Sequence, residues 1–143
     1  QALGTDNHEP VALFNMAALM MKPKYNEPQK AAELYARFLL ESVKSTYPQE
    51  RARAIEAIKT IGANRPAALQ MQIDDLMMAA KTTKSPAESL KQAAEAVRLD
   101  QSNPDALWEL LERLSAAGHK KDASVIRLRF QTIFPDDPRS KRQ

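Results

Sequence analysis

Apolar residues along this chain fall at helical spacing, in one register repeated three times. Counted from Pro28, Pro66 and Pro104, the third, seventh and tenth positions are Ala31, Tyr35 and Phe38, then Leu69, Ile73 and Leu76, then Leu107, Leu111 and Leu114. Steps of three and four residues keep side chains on one face of a helix, so each set marks a buried stripe. A second family is counted from Pro10, Pro48 and Pro86. Its fourth, seventh and tenth positions are Phe14, Ala17 and Met20, then Ala52, Ile55 and Ile58, then Leu90, Ala93 and Ala96. This face is made of smaller residues. Large side chains on one helix against alanines on the next permit close antiparallel packing at bundle-like crossing angles.

The prolines set the rhythm. Pro10, Pro28, Pro48, Pro66, Pro86 and Pro104 stand 18, 20, 18, 20 and 18 residues apart. Proline suits the first turn of a helix, where its missing N–H has no intrahelical partner, and it pushes the residue before it out of helical conformation. Each therefore reads as a helix start. Ser85 with Glu88 spells a capping box, and Asn103 is a good N-cap before Pro104. Gly62 and Gly118 are expected to end helices in a left-handed conformation, and Pro135 closes the last run. The predicted helices cover 10–21, 28–46, 48–61, 66–82, 86–99, 104–117 and 120–133. Alanine, leucine, methionine, glutamate and lysine dominate, and runs of strand-forming residues are missing, so the fold is expected to be all-α. Alternate prolines lie 38 residues apart, and seven helices on that period favour a solenoid of helix pairs over a four-helix bundle.

Residues 104–137 resemble one unit of the tetratricopeptide (TPR) repeat family, about 34 residues long. Leu107, Leu110 and Leu114 lie on the first helix, Gly118 at the turn, Ala123 at the opening of the second helix and Pro135 at the exit. The unit before it is similar through Ala96 and the run Leu99, Asp100, Gln101, Ser102 and Asn103. The chain departs from the family pattern where Leu111 replaces a small residue and Gln101 replaces proline. Arg127 and Phe130 stand where an aromatic and an alanine are typical. The resemblance covers about half the chain, and helix length and apolar register extend it toward the N-terminus. It implies an all-α, right-handed α-solenoid of antiparallel helix pairs with about seven helices. The domain is expected over residues 1–137, followed by a basic flexible tail at 138–143.

The resemblance also implies a concave groove lined by the first helix of each pair, receiving a peptide or helix of a partner protein. The positions facing it would be Met71, Asp74, Met78 and Lys81, then Asp105, Trp108, Glu112 and Ser115. Trp108 lies off the Leu107, Leu111 and Leu114 stripe, and tryptophan is frequent among interface hot spots. A wedge between neighbouring helices is the other reading, and both stay open. Met77 is expected in the core, whereas Met78 suits either core or an adaptable surface. Tyr25, in the first loop with Asn26, is expected to cover a helix end. The family's peptide-terminus clamp uses lysines and asparagines, which Met71, Asp74, Asp105 and Trp108 do not resemble, so that function is not carried over.

Composition narrows the alternatives. A 143-residue chain buries about 68–70% of its unfolded surface, and 43% hydrophobic with 27% charged residues is globular composition. The net charge of +3 comes from 21 basic and 18 acidic residues, largely intermixed, which argues against a strong nucleic-acid or membrane field. The exception is a basic C-terminal face with Lys120, Lys121, Arg127, Arg129, Arg139, Lys141 and Arg142. It lacks the interleaved aromatics that stack on bases, so nucleic acid is the lesser reading. The longest apolar stretch, residues 11–21, is too short to span a bilayer core of about 30 Å, and no membrane insertion is expected. Its Leu13, Phe14, Met16, Leu19, Met20 and Met21 cover much of the helix circumference, as in an internal repeat of a larger solenoid or a homodimer contact. Without cysteine or signal-peptide features the compartment stays open between cytoplasm and periplasm or secretion.

Candidate chemistry is sparse. His8 and His119 have no histidine or cysteine partner at ligand spacing, so no metal is expected. Gly4, Gly62 and Gly118 are too scattered for a phosphate loop, and no cofactor is expected. Asp74 and Asp75 point apart on a helix, and Asp136 and Asp137 with Pro138 are expected as a turn after the last helix, so neither pair makes a carboxylate dyad. The sequence therefore leads to a scaffold or adaptor and away from an enzyme.

Overall fold

Proline opens most of the helices, as its fixed φ dictates. The structure, a computed structural model, describes residues 9–42 and 46–141. Among them are seven α-helices and no strand. These are α1 (Pro10–Met20), α2 (Pro28–Glu41), α3 (Pro48–Ala63), α4 (Ala67–Thr82), α5 (Pro86–Leu99), α6 (Pro104–Ala116) and α7 (Lys120–Ile133). A 3-10 turn, Pro138–Lys141, follows. No helix of the described residues is long and apolar enough to cross a membrane. The chain groups into two compact units, Gln1–Asn64 and Arg65–Gln143, where the sequence leads to one repeat domain over 1–137 and a tail at 138–143.

Helix ends follow local chemistry. Ser85 Oγ accepts the Glu88 N–H at 3.2 Å, and Asn103 Oδ1 accepts those of Asp105 and Ala106 at 3.0 and 3.3 Å. Gly118 has φ +84°, and a Cβ there would meet open space, so the left-handed backbone alone asks for glycine. Gly62 does not end its helix as expected. The helix runs on to Ala63 and closes at Asn64, whose amide donates to the Thr60 carbonyl at 2.9 Å. Pro66 stands just outside α4 as its N-cap. The α2 helix stops at Glu41, short of the expected 46, because Ser42 is extended; residues 43–45 lie outside the described ones. Arg51, from α3, donates to the Leu39 and Ser42 carbonyls at 2.9 and 3.1 Å and to Ser42 Oγ, satisfying acceptors that a helix end leaves open.

In the first unit α1 packs on α2 and α2 on α3. Ala31, Tyr35 and Phe38 are buried as their spacing predicts, and Phe14 sits edge-on to Tyr35 at 5.6 Å. The α3 stripe is shifted from its expected register. Ala52 is exposed, and Arg51, Ala54, Ile58 and Ile61 are buried, because Arg51 must face the end of α2.

In the second unit each of α4 to α7 packs on the next, and α4 also touches α6. Ile73, Ala96, Val97, Ala106, Leu107 and Phe130 form its core, with Met77 packed at the margin. Burying a leucine-sized side chain contributes about 1.5–3 kcal/mol, so Ile73, Leu107 and Phe130 each contribute on that scale. A buried polar network joins the two loops preceding α4 and α6. Arg65 donates to Asp100 and, at 2.7 Å, to Gln70 Oε1, while Asp100 Oδ1 accepts the Ser102 N–H at 2.9 Å and its hydroxyl at 2.5 Å.

Candidate functional site

The candidate face lies on α4 and α6 of the second unit. On α4, steps of three, four and three residues align Met71, Asp74, Met78 and Lys81, and all four are exposed. Met71 and Met78 leave 66% and 60% of their surface open, while Met77 between them turns into the core. Asp74 is held in place, since Gln70 Nε2 donates to its Oδ1 at 2.8 Å and Gln70 in turn receives from Arg65. That relay leads from an exposed carboxylate back to buried Asp100.

On α6, Glu112 and Ser115 are exposed, whereas the side chains of Asp105 and Trp108 are engaged with α7 and the turn after it. Trp108 is half-buried and meets Phe130 of α7 edge-on at 5.1 Å. The guanidinium carbons of Arg127 and Arg139 lie 5.7 and 5.6 Å from its ring centre. Trp108 therefore packs on the core through Phe130 and carries two guanidinium groups of its own chain over its ring. Asp105 accepts from Arg139 Nη2 at 2.8 Å.

Among the predicted residues, the contact joining the two helices is made by Lys81, whose ammonium is 3.7 Å from Glu109 Oε1. Met71, Asp74 and Met78 form the α4 portion of the face, and Asp105 and Trp108 turn toward α7 and the 3-10 turn. Glu109 was missed by the sequence reading. It is only 4% exposed, and Arg113 Nε lies 3.0 Å from its Oε2, close enough for an ion pair but without hydrogen-bond alignment. Its spacing of four from Arg113 was the available signal.

Arg139 was also missed, having been read as part of a solvated tail. Residues 138–141 form a turn in which the Ser140 hydroxyl donates to the Phe134 carbonyl at 2.5 Å and Gln131 Nε2 to the Ser140 carbonyl at 3.2 Å. Arg139 Nε and Nη2 each donate to Asp137 at 3.0 Å. The hydrogen bond to Asp137, and secondarily that to Asp105, raise its pKa further, against the effect of burial, so the group stays charged at any working pH. Arg142 and His8 lie outside the described residues, and His119 is exposed at the start of α7.

Elsewhere, Val125 and Leu128 are exposed on α7, and Met16, Leu19 and Met21 on and just after α1. Tyr25 is exposed with the Lys24 ammonium 5.7 Å from its ring, and Asn26 takes the left-handed φ of 46° that asparagine tolerates. The site brings together apolar thioethers, an indole and paired charges. No family model, curated protein or solved structure matches this chain.

Proposed function

We propose that the chain is a non-catalytic protein–protein interaction module, a scaffold or adaptor built of TPR-like helix pairs in a solenoid. In this reading a peptide or helix of a partner protein lies along α4 and α6, against Met71, Asp74, Met78 and Lys81 and against Asp105, Trp108, Glu112 and Ser115. The observation that carries it is the pair Met71 and Met78, two turns apart and largely open to solvent beside a third methionine that packs normally. Flexible thioethers on a rigid helix adapt to an apolar surface, and two anchors seven residues apart suit a helical or extended ligand. The sequential packing of α4 to α7, with α4 touching α6, supports stacked pairs.

The test begins with a partner captured from the source cells. Labelled methionine methyl signals of Met71 and Met78 are expected to move on its addition while Met77 stays. Met71→Glu with Met78→Glu is expected to weaken binding about tenfold or more, equal to about 1.4 kcal/mol, with an unchanged melt because both sites are on the surface. Undiminished binding by the double variant would remove the α4 face from the proposal.

A second reading is self-association through α1, which exposes Met16 and Leu19 and has no charged residue in positions 10–21. Sedimentation is then expected to show mass rising with concentration in wild type and a monomer in Met16→Glu. A concentration-independent monomer in both would exclude it. Nucleic-acid binding draws less support, because Arg127 and Arg139 of the basic face are engaged with Trp108.

A further inference from the structure

The cluster around Trp108 has the construction of a cation receptor already filled. A guanidinium is recognised by aromatic faces that present negative charge density and by carboxylates that match its fork of donors. Arg139 finds both. Its guanidinium carbon lies 5.6 Å from the Trp108 ring centre and 5.4 Å from that of Phe130. Its Nε and Nη2 engage both oxygens of Asp137 at 3.0 Å, and Nη2 also reaches Asp105 at 2.8 Å. Asp105 is exposed and Trp108 half-buried, so the cluster opens to solvent on the α6 side.

We infer that Trp108, Phe130, Asp105 and Asp137 form a binding site for the arginine side chain of a basic partner segment, and that Arg139 occupies it in cis as an internal stand-in. The walls do not depend on the Arg139 side chain. Phe130 is core, Trp108 and Asp105 belong to α6, and the Asp137 N–H is bonded to the Phe134 carbonyl at 3.1 Å. The turn is pinned by the Ser140 hydroxyl on Phe134 and the Ser140 N–H on the Asp137 carbonyl at 2.9 Å. Removing the guanidinium should therefore leave a vacant site and an intact frame. While Arg139 is present, its short tether gives it an effective concentration in the millimolar range, which masks a single external arginine. A partner gains entry by offering several contacts at once, which makes the turn a competitive guard over the α6 end of the face.

The inference names a ligand chemistry for the Asp105 and Trp108 end of the proposed partner face and rests on that reading only there. Trp108 is the one tryptophan in the chain, so its emission reports on this site alone. The test titrates N-acetyl-arginine methylamide, with the citrulline analogue as the uncharged control, into wild type and Arg139→Ala. The variant is expected to show a saturable change with an apparent Kd at least about tenfold below that of wild type. Citrulline should give none, and Asp105→Asn added to the variant should abolish the gain. Equal responses in wild type and variant, or citrulline acting like arginine, would make the cluster packing alone. If Arg139→Ala perturbs the fold, Arg139→Gln keeps the methylene stem and removes the charge. The same arginine response is required of it, and its failure overturns the inference. Because the probe is a single amino-acid derivative, a negative result leaves the methionine test on α4 undisturbed.

Discussion

Phe130→Ala is expected to destabilise the second unit by about 3–5 kcal/mol, the range for emptying a buried aromatic site. Phe130 is 1% exposed and joins three structures at once: the core around Ile73 and Leu107, the indole of Trp108, and the ring of Phe134 at 5.5 Å. Deleting it opens a cavity that surrounding helices fill only in part, and removes the aromatic neighbour against which Trp108 is held. Urea denaturation followed by tryptophan emission should show the midpoint falling by about 2 M, given slopes of about 1–3 kcal/mol per molar for small proteins. Leu128→Ala, two residues away but exposed, is expected to stay within about 0.5 kcal/mol of wild type. If the two variants lose similar amounts, the core has been wrongly placed.

The second large effect comes from charge. Asp100 is buried, and its carboxylate accepts from Arg65, the Ser102 N–H and the Ser102 hydroxyl. Asp100→Ala strips three donors of their acceptor and leaves a largely buried guanidinium without its countercharge, which costs about 3–5 kcal/mol in comparable sites. Arg65→Met strands the carboxylate instead and should fall in the same range. The double variant is expected to lose less than the sum of the singles by about 1–3 kcal/mol, since the unpaired charge that dominates each is then gone. Additive losses would mean the pair is not coupled. The network also reaches the candidate face, because Arg65 holds Gln70 and Gln70 holds Asp74. Asp74 should therefore become more mobile in either single variant.

Sequence carried the helices well because their signals are local. A proline in the first turn, an asparagine cap at 103 and a left-handed glycine at 118 each act within a few residues, and the matching helix ends appear where those signals stand. The misplacements occur where distant groups decide. The end of α2 is closed by Arg51 from another helix, which also rotates the α3 stripe and exposes Ala52. Gly62 stayed helical because Asn64 supplied the cap two residues later. The pairing of Arg65 with Asp100 spans 35 residues and carries no periodic signature. At the candidate site, helical spacing was enough to align Met71 with Met78 on one stripe. The engagement of Trp108 by Arg139 was hidden because a basic residue after a proline looks like solvated tail. Its partners, Asp105 and Phe130, become neighbours only when α6 and α7 pack.

Within the second unit each helix rests mainly on the helix next to it in the chain, across loops of only a few residues. Such contacts close small loops, so little chain entropy stands between the unfolded chain and its first packed pair. Topologies of this kind fold in microseconds to milliseconds, whereas synthesis adds only about 5–20 residues per second. Each helix pair can therefore settle long before the next has been translated. The turn at residues 138–141, translated after α7, closes over Trp108 on helices that have already packed.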